Sequence, residues 1–260
     1  MRVLSPTRAA LILSCFCLSL PTCWAQSSNL TLDQILNRMQ QSETESRQQS
    51  VAYRVTREYQ LAPAGAQQPS SEVVAEINFL PPSAKDYSIV KSEGNDRGAG
   101  IVRKVLDHEK EMAGRSEQVE ITPRNYDFKL LGRDVLDGHD CYRLELSPKR
   151  NAMELVKGQA WVDADSFAIR KIEGTTAKSP SFWIKDLKVT INYGQVEGVW
   201  LQTSTQATAD VRFAGPHVLT SRELDVRRAT FDAQNHPPRR VRQRRNPRQV
   251  GADTATWVAR

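Results

Sequence analysis

Cysteine is nearly absent from this 260-residue chain, and three of its four cysteines, Cys15, Cys17 and Cys23, fall within the first 25 residues. Once that segment is set aside only Cys141 remains, so no intramolecular disulfide can form and a disulfide-stapled scaffold is excluded. Catalytic signatures are missing as well. "HEKEM" at His108 begins like a zinc-protease helix, but Met112 stands where the second histidine ligand belongs. "GAGIVR" at Gly98 lacks the third glycine of a dinucleotide loop. There is no Gly-x-Ser-x-Gly and no phosphate-binding loop. His217 and His236 stand alone in loops, and Asp163 and Asp165 flank a turn, where aspartate serves the backbone. Nothing in the residues calls for an enzyme, a metal or a cofactor.

What is present at the two ends is specific. Arg2 and Arg8 precede a short apolar run, "AALILSCFCLSL" from Ala9 to Leu20, which is too short to span a bilayer comfortably. "CWA" then offers small residues at Cys23 and Ala25, the pattern of signal-peptidase cleavage before Gln26. Leu20-Pro21-Thr22-Cys23 is a poor lipidation site, so the expectation is export to the periplasm with cleavage. At the other end, the stretch from Asn235 onward carries seven Arg and one Asp, a net of +6 that equals the charge of the whole chain. Residues 1–234 therefore balance to zero, and removing Arg2 and Arg8 leaves the expected folded part at −2. The basic character belongs to a tail. Its composition predicts disorder and contact with anionic membrane surfaces, not nucleic acid. The layout is thus 1–25 signal peptide, 26–232 folded domain, 233–260 basic tail.

The domain opens with an amphipathic helix. Thr31 and Gln34 form a capping-box pattern, and Leu32, Ile35, Leu36 and Met39 share one face. From Val51 the period changes to two: Val51, Tyr53, Val55, Tyr59 and Leu61 alternate with Arg54, Thr56, Glu58 and Gln60. "EVVAEINFL" repeats this with Val73, Ala75, Ile77 and Phe79, and Tyr87 and Ile89 continue it. A second helix is expected through "GAGIVRKVLDHEKEMAG", with Ile101, Val105 and Met112 on its apolar side and Gly114 as its cap. The rest reads as strands: Tyr126–Leu131, Cys141–Leu146, Gln159–Asp163, Phe167–Glu173, Phe182–Tyr193, Val199–Phe213 and Val218–Val226. Nine or ten strands in meander order make one antiparallel sheet with a single apolar face. Such a sheet must curl, and two helices are available to cover it. The fold class is α+β: a curved antiparallel sheet, or half-open β-barrel, under a helical lid.

In "DGHDCYRLELSP" the apolar set is Tyr142, Leu144 and Leu146, which leaves Cys141 on the other side and His139 in the turn. Residues crowded into one tight turn do not converge on a substrate, so this is a hairpin corner with a free thiol. Trp161, Trp183, Trp200, Tyr53, Phe79 and Phe182 read as core, or as the lining of an apolar ligand site.

"NYDFKLLGRDVLDGHDCYRLELSPKR", "GQAWVDADSFAIRKIEG", "SPSFWIKDLKVTINY" and "GVWLQTSTQATADVRF" resemble bacterial exported proteins of the LolA/LolB-like group, the outer-membrane lipoprotein-sorting proteins. The resemblance spans roughly Asn125 to Val226. It implies an unclosed barrel with an apolar cavity that takes lipoprotein acyl chains or lipid on the way to the outer membrane. It also implies a gating arginine, for which Arg54, Arg57 and Arg103 are candidates. Related regulators use the fold to sense lipids and grip a membrane-bound partner, so an envelope sensor or scaffold is the alternative. A sixteen-carbon chain exposed to water costs on the order of 12 kcal/mol, which favours burial by shape. The expected cavity is lined by Tyr53, Val55, Ile77, Phe79, Leu144 and Leu187, with Leu32, Ile35 and Met39 on the lid helix.

Overall fold

The computed structural model describes residues 30–228, so the expected signal segment and the basic tail lie outside the described residues. Thr31 caps the first helix as its spacing predicts. Its hydroxyl accepts from the Gln34 amide at 3.3 Å, while the Gln34 side chain accepts from the Thr31 amide at 2.9 Å. Helix α1 (Leu32–Gln48) buries Ile35 and Met39. Three strands follow: β1 (Tyr53–Pro63), β2 (Ser71–Leu80) and β3 (Ala84–Gly94). Helix α2 (Asp96–Ala113) is capped by Asn95, whose side chain accepts from the Gly98 amide at 2.7 Å. A 3-10 turn (Ser116–Gln118) then leads to β4 (Tyr126–Leu136), β5 (His139–Pro148), β6 (Val156–Asp163) and β7 (Ile169–Thr176). The longest strands come last: β8 (Ile184–Val196), β9 (Val199–Val211) and β10 (Gly215–Arg228).

All ten strands form one antiparallel sheet in the order β3-β2-β1-β10-β9-β8-β7-β6-β5-β4. The architecture is the predicted one, a curved α+β sheet with helices on one face. It departs from a plain meander at one seam, because β1 pairs with β10 over their lengths, Tyr53 opposite Arg228 through Pro63 opposite His217. The edges β3 and β4 do not pair with each other, so the barrel stays open. Several strands also run longer than the sequence predicts. β4 continues to Leu136 because Asp137 (φ 50) and Gly138 (φ 80) form a two-residue corner with both residues at positive φ, which matches strand twist and keeps the ladder paired up to the turn.

One rung shows that both helices share a face. Through the pairings it runs Leu130, Leu144, Ala160, Ile172, Ile191, Thr205, Ser221, Tyr59, Val73, Ser92, one residue per strand from β4 to β3. Leu144 near one end packs under α1, and Tyr59 and Val73 near the other pack with α2. The next rung is small where it crosses β6 and β7. Gly158 opposes Gly174, and a Cβ on Gly158 would stand 2.0 Å from the Glu173 carbonyl oxygen and 2.6 Å from the Gly174 Cα. Only glycine permits that approach.

Helix α2 presents a different face from the one expected. Gly98, Val102 and Leu106 are buried, while Ile101 is exposed and Val105 half-buried. The reason is at Gly98, where a Cβ would meet the Ser71 side chain at 2.3 Å. That contact sets the helix down on its Gly98 side, and Val102 and Leu106 follow at the helical repeat.

Candidate functional site

The two helices rest on the two wings of the sheet. On one wing, Ile35 and Met39 of α1 pack on Tyr142, Leu144, Val162 and Phe167, with Leu32 and Leu36 alongside. On the other, Val102 and Leu106 of α2 pack on Tyr59, Val73, Ala75 and Ile77. Between these seats lies the inner face of β8 and β9. Leu187, Val189, Ala207 and Ala209 point inward there, are half-buried, and belong to neither helix-covered cluster. The outer face of the same strands is polar, with Lys188, Thr190, Asn192, Ser204, Gln206 and Thr208. The result is an apolar trough running between two helices.

One end of the trough is polar, and its centre is Arg57. This side chain sits at an inward position of β1, is 7% exposed, and lies opposite Ala75 and Glu223. Its guanidinium is 3.6 Å from the Glu109 carboxylate of α2 and donates to the Gln202 carbonyl at 3.1 Å. Burial works against its charge, but neighbouring Tyr59 and Glu109 outweigh burial and its pKa is raised. The cation is therefore fixed in place. Around it, Tyr59 and Tyr193 are pushed up by burial and then by the Glu109 charge, Tyr193 to about 12. Burial also raises the Glu223 carboxyl and lowers the Lys85 amine. The Tyr59 hydroxyl and one Glu223 carboxylate oxygen are buried without a hydrogen-bond partner. Each such group costs stability. This end of the interior holds unspent polar capacity.

The sequence-predicted residues are distributed over this site and not gathered at one cavity. Ile77 lines a pocket of about 10 Å³ with Lys85, Tyr87, Leu106 and Glu109, room for about one water. The sequence predicts an apolar cavity beneath the lid, but here α2 rests on the sheet. Tyr53 and Phe79 stack with ring centroids 4.9 Å apart. Val55 packs with Leu201 and Val226. Leu144 lies under Leu32, Ile35 and Met39 of α1. Leu187 lies in the uncovered trough. A hollow of about 460 Å³ follows the polar side of α1, along Asn37, Gln40, Gln41, Thr44, Glu45 and Gln48, away from the apolar interior.

Of the three candidate gating arginines, the structure separates one. Arg54 binds Asn78 and Glu76 at the surface and Arg103 is exposed, while Arg57 alone of the three is buried against a helix. The signal was in the sequence. Arg57 falls between Val55 and Tyr59 on the apolar side of the β1 alternation, a parity that neither Arg54 nor Arg103 shares. Glu109 had a similar signal, one helical repeat beyond Val102 and Leu106.

The hairpin thiol is inert. Cys141 is fully buried, donates weakly to the His139 carbonyl at 3.5 Å, and burial raises its pKa. Nearby Asp163 accepts from the Asp165 and Ser166 amides, the Ser166 hydroxyl and Arg170. Burial pushes its carboxyl up, but the Ser166 and Arg170 contacts win and hold it at about 2. Among the described residues no group of three or more His, Cys, Asp or Glu side chains could hold a metal ion.

A family model described only as "Uncharacterized protein" matches residues 116–215. No curated protein matches the chain. Solved structures similar to it include a DUF1329 family protein from Desulfovibrio piger, at 12% identity and a TM-score of 0.40, covering 76% of this chain and 92% of that one. An outer membrane lipoprotein-sorting protein domain from Vibrio parahaemolyticus has 15% identity and a TM-score of 0.39, covering 75% and 92%. A LolA superfamily protein from Nitrosomonas europaea has 14% identity and a TM-score of 0.36, covering 78% and 96%.

Proposed function

We propose that this chain is an envelope binding protein that holds the acyl chains of a lipid or lipoprotein in the trough between its helices. The observation that carries the reading is the half-buried inner face of Leu187, Val189, Ala207 and Ala209, which neither helix covers among the described residues and which is apolar inside a sheet whose outer face is polar. A protein with no ligand to hide would gain by closing that face, since each buried CH₂ contributes about 0.8 kcal/mol. The arrangement suits hiding hydrocarbon. The pocket beneath α2 is far smaller than the 300–1,000 Å³ typical of ligand sites, so any length of acyl chain that runs past the trough and under α2 needs that helix to lift. The Arg57–Glu109 pair is the contact that lifting breaks.

The test is uptake of a fluorescent fatty acid or lipopeptide. Val189→Asp, which puts a charge in the trough, should abolish uptake while the variant keeps its circular dichroism. Cys141→Ser should take up the probe normally. If wild-type protein takes up no probe but retains one envelope protein from detergent extracts, the sensor or scaffold reading replaces the carrier.

A further inference from the structure

At the end of the barrel opposite Arg57, three large aromatic side chains stand in solvent. Phe182 is 73% exposed, Trp183 58% and Phe213 97%. They come from two separate loops, the segment before β8 and the turn between β9 and β10. The sequence reads Phe182 and Trp183 as core or as the lining of an apolar ligand site, but both stand exposed, because they precede the first paired residue of β8, Ile184.

These loops are fastened together and not loose. The Arg212 amide donates to the Trp183 carbonyl at 2.7 Å, and its guanidinium donates to the Phe182 carbonyl at 2.8 Å while lying 4.8 Å from the Phe182 ring centre. The rings contact edge to face, Phe182 to Trp183 at 5.6 Å and Trp183 to Phe213 at 6.4 Å between centroids. Phe213 also sits at φ 65, a left-handed conformation that is unfavourable for a bulky residue. Phe167 shares that strain at φ 58, but it is buried against Tyr142 in the α1 seat, and burial offsets the cost. Among the described residues Phe213 has no such burial to offset it.

The charge around the rings selects among partners. Residues 177–188 and 210–217 carry Lys178, Lys185, Lys188 and Arg212 against Asp186 and Asp210, a net of +2 on a domain whose residues 26–234 sum to −2. Tryptophan and phenylalanine beside lysine and arginine suit the headgroup layer of an anionic bilayer, where rings enter the acyl boundary and cations meet phosphate. The trough points to the same place, since Leu187 opposite Ala209 and Ile184 opposite Val211 run directly into the aromatic tip.

We infer that the Phe182–Trp183–Phe213 tip docks this protein on anionic phospholipid bilayers. The inference goes beyond the cargo reading and stands without it. It also differs from membrane contact through the Arg-rich tail, because the three rings belong to the described residues and the tail does not.

The experiment uses the full exported chain and phosphatidylglycerol/phosphatidylcholine vesicles, some with brominated acyl chains. Replacing both Trp183 and Phe213 by serine should weaken co-sedimentation by on the order of tenfold or more, with melting unchanged since both side chains are exposed. Brominated vesicles should quench tryptophan emission in the wild type. In a Trp257→Phe background, which removes the tryptophan of the tail, adding Trp183→Phe should make that quenching largely vanish while binding persists. High salt should weaken binding without abolishing it, because part of the contact is apolar. Undiminished co-sedimentation of the double serine variant, unchanged quenching when Trp183→Phe is added to the Trp257→Phe background, or a wild-type oligomer that the double serine variant converts to monomer would each overturn the proposal.

Discussion

The seats of the two helices look alike in outline and differ in chemistry. Helix α1 meets the sheet through Ile35, Met39, Tyr142, Leu144, Val162 and Phe167, an apolar contact. Helix α2 adds to its Val102 and Leu106 contact a buried arginine, a carboxylate and two buried polar atoms without partners. Apolar packing is lost in proportion to the area opened. A buried ion pair, by contrast, has already given up most of its hydration, so the net worth of holding it closed is small. On the reading proposed above, α1 stays as the fixed cover and α2 lifts, parting its ion pair at little net cost together with its apolar contacts to Tyr59, Val73, Ala75 and Ile77. At the surface α2 is held by Tyr87 to Asp107 at 2.6 Å and by Lys110 to Asp86 at 2.9 Å, contacts in solvent that are individually weak.

The largest expected effect breaks the apolar seat. Leu144 is fully buried under α1, and Leu144→Ala should lower unfolding free energy by about 2–5 kcal/mol in urea titrations. A loss under about 1 kcal/mol would mean that α1 is not firmly seated.

The polar seat should answer differently to one substitution than to two. Arg57→Met alone leaves Glu109 and Glu223 facing an apolar interior, and should cost about 3 kcal/mol, less to the extent that Glu109 keeps its water. Combining Arg57→Met with Glu109→Leu should recover most of that loss, because the charges of the pair leave together and only Glu223 remains, whose carboxyl burial already pushes toward its neutral form. Acyl-probe uptake should then slow, since an apolar α2 contact is harder to open. A double variant as unstable as the single one would show that the pair is structural support.

The smallest expected effect lies outside both seats and serves as their control. The folded-state pKa of Asp163 is held at about 2, below the usual carboxylate value. The stabilisation from this group is therefore complete above about pH 4 and is lost as the pH falls toward 2. Asp163→Asn should remove that acid-dependent loss from the melting curve and leave acyl uptake at neutral pH unchanged.

Much of this was legible in the sequence. The capping box at Thr31 and the Asp137-Gly138 corner depend on local backbone chemistry and appear where their residues place them, and the period of two expected from Val51 is a strand from Tyr53. The pairing of β1 with β10 was not legible, because its partners are more than 150 residues apart and no local pattern records which edge a hairpin joins. The seated face of α2 was missed by about one residue, since a close approach at Gly98 decided it and not the hydrophobic period. Arg57 shows a different limit. Its parity put it inside, but only the position of Glu109 explains why a cation can stay there.

Hydrogen exchange on the two helices, with and without a bound lipopeptide, tests the central claim most directly. The account predicts that the amides of α2 between Val102 and Glu109 exchange faster than those of α1 between Ile35 and Met39 in the free protein. It also predicts that ligand changes the rates in α2 while leaving α1 as it was. Equal protection of both helices, unmoved by saturating ligand, would contradict it.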